Sequence, residues 1–217
     1  MPDQPPFSWD ESQLPVPTAT KTVLTKQWHE LGAPGTWWTG EQRIAIAAVA
    51  RAARRGGEGP GDAGSIDEVT QEAAAQVGAA AGDLIEADVD GYHERGLDPL
   101  PYVELIGIVS RVTAIDTATI GLGADLQPFG SPSPGEPSKS TVAGAKRRSG
   151  WVPTVGGAGA TTALSAVTSE DVAQEQLHGA LYLSYYEMGD LGIIKALNRT
   201  QMELAAARTS LHNDCYF

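Results

Sequence analysis

An all-α fold is what this sequence predicts. Apolar residues recur at steps of three and four, and helix-start and helix-stop residues bracket those stretches. No segment shows a convincing period-two alternation of a half-buried strand. Six to eight helices are expected, in two halves: residues 1–123 and 161–217, with 124–160 between them as a loop or connector.

Residues 1 to about 20 are Pro-rich and read as an extended arm, with Phe7 and Trp9 as anchors. A short helix is expected around Val23 to Leu31, stopped by Gly32-Ala33-Pro34-Gly35. The next runs from Gln42 to about Arg55. Ile44 to Val49 make it apolar nearly all round, so it should be buried. Arg51, Arg54 and Arg55 suit the negative end of its dipole, and Gly56-Gly57 ends it. Ser65 with Glu68 reads as a capping box. Behind it Ile66, Val69, Ala73, Val77, Ala80 and Leu84 form one helix face, which Gly78 and Gly82 should weaken or kink.

From Pro101 to Gly121 the chain is rich in Ile, Val and Thr. Its length and lack of alternation favour a buried helix over a strand. Ser131 to Ser138, with three prolines, interrupts regular structure, and the reading favours a connector over a functional loop. Helices resume near Ser169 or Glu170, with Ala173, Leu177, Ala180, Leu181, Ser184 and Met188 on one face. A short turn is expected at Ile193 to Leu197, and a last helix from Thr200 to about Leu211.

The formal net charge is −12. A phosphate-binding surface needs a surplus of Lys and Arg, so neither nucleic acid nor an anionic membrane is an expected partner. With one cysteine there is no intramolecular disulfide and no cysteine-built zinc site. The absence of a signal-peptide pattern after Met1 suggests a cytoplasmic, reducing setting. Trp151 to Ser169 is uncharged and of spanning length, but its Gly, Ser, Thr and Pro153 read as a loop. Gly156-Gly-Ala-Gly159 lacks the spacing and following Lys of a phosphate loop, and no cofactor motif is evident.

The chemistry-bearing segment is the C-terminus. Glu203 lies near the start of the last helix, a break follows at His212-Asn213-Asp214, and Cys215 comes next. A cysteine in the first turn of a helix would be acidified, but only two residues follow Cys215 here. Glu203 and Cys215, twelve positions apart, together with Leu211-His-Asn-Asp, resemble the redox motif of the AhpD-like alkylhydroperoxidases of the carboxymuconolactone decarboxylase superfamily. That motif is Glu, eleven residues, Cys, two residues, Cys, three residues, His. Trp38 to Ile44, Tyr102 to Val112 and Trp151-Val-Pro153 resemble a longer, two-part peroxidase-related branch.

The resemblance implies an AhpD-like helical fold, a homo-oligomer, a hydroperoxide substrate and an external dithiol reductant. It gives Glu203 a place in a proton relay and makes Cys215 the resolving thiol. The attacking residue and the relay His would fall after Phe217, so the 217-residue chain is expected to be inactive. His212 precedes the cysteine and is no substitute. Selenocysteine is encoded by UGA, otherwise read as a stop. One expectation is therefore a selenoprotein cut at its selenocysteine; loss of the motif or a shortened chain is the other. Gly40 to Ala48 resembles Thr200 to Ala207, so residues 39–57 read as a degenerate copy of the unit, with Arg54-Arg55-Gly56 where the cysteine would stand.

Plainer readings stand beside these. Thr200 with Glu203 also fits a capping box, and a lone cysteine is often a small apolar residue. A non-catalytic helical assembly subunit is one alternative function. A decarboxylase-type enzyme using acid–base residues such as Glu203 is another. Glu104 and Arg111 share a helix face, and with Asp116 they read as structural ion pairs or a solvated edge. His29, His93 and His178 read as surface or capping residues. Trp37, Trp38, Tyr182, Tyr185 and Tyr186 read as core or subunit contacts. The helices from Gln42 and from Pro101 look more apolar than a single chain needs, a second reason to expect an oligomer.

Overall fold

The computed structural model describes Trp9 and residues 12–57, 64–157 and 159–212. Phe7, Cys215 and the other residues of the two termini lie outside them. Among the described residues there are seven α-helices: α1 Thr18–Glu30, α2 Gly40–Arg54, α3 Glu68–Ala80, α4 Glu86–Glu94, α5 Pro99–Gly121, α6 Thr168–Leu181 and α7 Arg199–His212. Two strands of two residues, β1 Lys146–Arg147 and β2 Pro153–Thr154, pair antiparallel. The mostly helical class is as the periodicity predicts. Among the described residues no helix is long and apolar enough to cross a membrane.

The core forms where α2, α3 and α5 meet, with α1 and α6 laid against α5. Ile46, Ala47, Ala73, Leu105, Ile108 and Ile115 are fully buried there. Trp9 is buried in the same core, as an anchor of the arm. α5 is helical over its whole apolar length. Asp98 precedes it and Pro99 opens it, so Pro101 sits within the first turn, where no intrahelical N–H is needed. The chain itself covers α2 and α5, so their apolar character gives no reason to invoke a partner.

Four local expectations are corrected. α3 starts at Glu68, not Ser65: the Asp67 carboxylate accepts the Thr70 N–H at 2.8 Å. A carboxylate at a helix N-terminus gains from both the hydrogen bond and the dipole. Ser65 stays in the preceding turn, its hydroxyl buried without a hydrogen bond among the described residues. Gly78 does not weaken α3. A Cβ there would lie 2.6 Å from the Ala50 carbonyl oxygen, so glycine is what lets α3 cross close over α2. α3 ends at Ala80, and Leu84 belongs to the turn before α4. Likewise α6 ends at Leu181, leaving Ser184 and Met188 in the following turn.

The stretch 124–160 is a strap stitched along the N-terminal helices, which the connector reading did not foresee. Phe129 stacks on Trp28 at 5.3 Å, and the Trp28 indole donates to the Pro128 carbonyl at 3.0 Å. The Ser133, Ser138 and Lys139 amides donate to the Gly32, Gly35 and Thr36 carbonyls. Lys139 Nζ donates to the Trp37 carbonyl at 3.0 Å, and Arg147 pairs with Glu86 and Asp90 on α4. Prolines cannot hold a helix, but the amides between them still need acceptors, and the 32–36 turn supplies them.

Candidate functional site

α7 carries Glu203. The helix opens at Asn198, whose side chain accepts the Gln201 amide at 3.0 Å. Gln201 in turn accepts the Asn198 amide at 3.1 Å. This reciprocal cap displaces the Thr200–Glu203 box expected from the sequence. Glu203 is therefore free of the helix end, and its side chain is 48 % exposed. Its Oε1 accepts from the Tyr182 hydroxyl at 2.5 Å and from Arg199 Nε at 2.6 Å. The Tyr182 hydrogen bond, with help from Arg199, holds the carboxyl below its ordinary value, so it is ionised at neutral pH. Burial and the bond to Glu203 push the Tyr182 phenol up, which keeps it a donor.

Tyr182 stands at the C-terminal end of α6, where the chain turns sharply. Lys195 Nζ donates to the Gly179 and Tyr182 carbonyls, both at 3.1 Å, and pairs with Glu187 at 3.0 Å. Glu187 also accepts the Ser184 amide. That bond and Lys195 bring its carboxyl down to about 2. His178 Nδ1 bonds the Leu183 carbonyl, and its ring meets Tyr182 edge-on at 5.5 Å. The capping reading of His178 and His93 agrees with this, since His93 Nδ1 bonds the Leu97 carbonyl at 2.7 Å. Beside this polar cluster lies a groove of about 1290 Å³ between α1, α6 and α7. Val23, Leu181, Tyr182, Met202 and Ala206 are among its walls.

Of the two predicted site residues, Glu203 is thus set in a polar cluster at the edge of an apolar groove. Cys215 lies outside the described residues. His212, nine residues after Glu203, is roughly 13 Å further along the helix axis and out of its reach. Sequence reasoning missed Tyr182, Lys195 and Arg199. Arg199 was within reach, because it stands four residues before Glu203 on the same helix. Tyr182 is twenty-one positions from Glu203, and no local pattern joins them.

Glu104, Arg111 and Asp116 form two structural ion clusters. Glu104 and Arg111 share a helix but do not pair with each other. Arg43 of α2 bonds Glu104 at 2.5 Å and Glu170 at 2.9 Å, and Arg111 bonds Glu170 at 2.6 Å. All four are at most 3 % exposed. Burial pushes Glu104 up. It acts on Glu170 too, but Arg111 and Arg43 outweigh it and hold that carboxyl low. Asp116 takes both Arg51 and Arg54, at 2.6 and 2.9 Å. A closed network with two positive and two negative groups clamps α2, α5 and α6 together and offers no entry for a substrate.

The helix caps do not keep the register in which residues 39–57 read as a copy of the C-terminal unit. Aligned by sequence, Arg43 stands opposite Glu203. Aligned by their caps, Thr39–Gln42 and Asn198–Gln201, Arg43 stands opposite Met202, and both are buried. Among the described residues no group of three or more His, Cys, Asp or Glu could hold a metal ion. No protein-family model, curated protein or solved structure matches this chain.

Proposed function

We propose that this chain is an AhpD-like, peroxidase-related protein whose α7 presents the proton-handling side of a thiol- or selenol-dependent site. The observation that carries the reading is Glu203. It is ionised, half exposed, fixed by Tyr182 and Arg199, and set beside an apolar groove, twelve positions before Cys215 in the sequence. In this chemistry a thiolate or selenolate attacks the outer peroxide oxygen and the O–O bond breaks. The departing alkoxide takes a proton and leaves as the alcohol. The resulting sulfenic or selenenic acid condenses with the Cys215 thiol, releasing water and forming a disulfide or selenenyl sulfide. A dithiol then reduces that bond. Glu203 would accept the proton that Cys215 loses on attack, and the Tyr182 hydroxyl bond holds its carboxylate in place.

The test extends the chain past Phe217 with the motif's second cysteine and its His. The extended protein should consume an organic hydroperoxide in the presence of a dithiol, and the 217-residue chain should not. Glu203→Gln in the extended form should lower the rate by roughly 10²- to 10⁴-fold, the range of a lost acid–base group. Equal activity with and without the extension would show that the site lies elsewhere. Inactivity of both would favour the second reading, a non-catalytic assembly subunit, which the outward leucines of α7 independently suggest.

A further inference from the structure

α7 has two apolar faces, and its own chain uses only one. Met202 is its one buried residue, and Ala205, Ala206 and Thr209 turn toward the groove. The opposite side carries Thr200, Leu204, Ala207 and Leu211, spaced by four, three and four residues, all exposed. Leu204 is 64 % and Leu211 75 % exposed. This spacing matches the a/d register of a coiled coil over fewer than two heptads, with Leu204 and Leu211 at a and Thr200 and Ala207 at d. Leu191 and Ile194, in the segment leading into α7, are also exposed, at 80 and 75 %.

The charges beside the stripe identify the occupant. Glu203 precedes Leu204 and Arg208 follows Ala207, so they hold the g and e positions five residues apart. In a parallel pair of identical helices, g of one faces the following e of the other. Glu203 has an unengaged Oε2, and Arg208 has no hydrogen-bond or ion-pair partner among the described residues. We infer that a second copy of this chain covers the outer face of α7 in a parallel α7–α7 pair, with Glu203 of each copy facing Arg208 of the other. An antiparallel pair would set like charges against each other. The inference does not depend on the chemistry of Cys215.

Sedimentation of the 217-residue protein at tens of micromolar should show a dimer. Leu204→Glu should give a monomer with unchanged helix content. Arg208→Glu places Glu203 against a carboxylate and should weaken the dimer at least tenfold. Adding Glu203→Arg to Arg208→Glu should restore it, because the cross-pair is then reversed. In a Cys215→Ser background, Leu204→Cys should form a disulfide-linked dimer on oxidation, since the two a positions meet only in the parallel arrangement. A wild-type monomer, or an Arg208→Glu dimer as tight as wild type, would overturn the inference.

Discussion

Glu170 shows how much one residue can commit. It enters the first turn of α6 and accepts from Arg43 and Arg111 in a site almost closed to water. Gly107 makes the room, because a Cβ there would lie 2.6 Å from the Cβ of Glu170. Glu170→Gln leaves Arg111 without its carboxylate, and breaking one side of a buried pair costs about 3–5 kcal/mol in chemical denaturation. Gly107→Ala should cost about 1–3 kcal/mol by overpacking, because the new methyl pushes on the Glu170 side chain and its Oε2. The folded state holds the Glu170 carboxyl below its ordinary 4.5. Its contribution is therefore fully present above that value and is lost as pH falls through the depressed one. Wild type should lose stability on acidification below about pH 4.5, and Glu170→Gln should lose less across the same window. At the candidate site the corresponding change is Tyr182→Phe. Removing the phenol should raise the Glu203 carboxyl pKa toward its ordinary value, followed by NMR titration of the side-chain carboxyl.

At the scale of elements, the helices were legible because burial follows a 3.6-residue period, and α2, α5 and the core face of α3 lie where that period puts them. The ends were less legible. Ser65, Asp67, Thr200 and Asn198 all have capping side chains, and local sequence does not rank them. Tertiary packing does: it buries Ile66 before α3 begins, and it turns the chain at Asn198 through the Ile194–Asn198 bridge. The correction is measurable. Asp67→Ala should cost about 1 kcal/mol and Ser65→Ala much less, the reverse of what a Ser65 cap would give. Of the candidate site, Glu203 was legible through its spacing to Cys215, but its partners were not. Tyr182 reaches it only because α6 stops at Leu181 and the chain doubles back, which depends on contacts remote in sequence. The strap at 124–160 was hidden for the same reason: its bonds are to residues about a hundred positions earlier.

Over the whole molecule, stability is unevenly spread. α5 buries twelve of its residues between α2, α3 and α6, and the two ion clusters lock it further. α7 buries Met202 alone. An isolated helix of 14 residues is marginal in water, so α7 depends on what covers its faces. Amide exchange should therefore be slowest along α5, through global unfolding, and fastest among the helices in α7, through local opening. A lone chain gives α7 protection that does not change with protein concentration. A parallel α7–α7 pair ties that opening to dissociation, so the protection of Leu204 to Leu211 should rise with concentration while that of α5 stays nearly constant. Arg208→Glu should abolish the concentration dependence and leave α5 untouched. If α7 is equally protected at one and one hundred micromolar, the outer leucines are not covered by a second copy, and the helix is held by its own chain through Met202 and the groove alone.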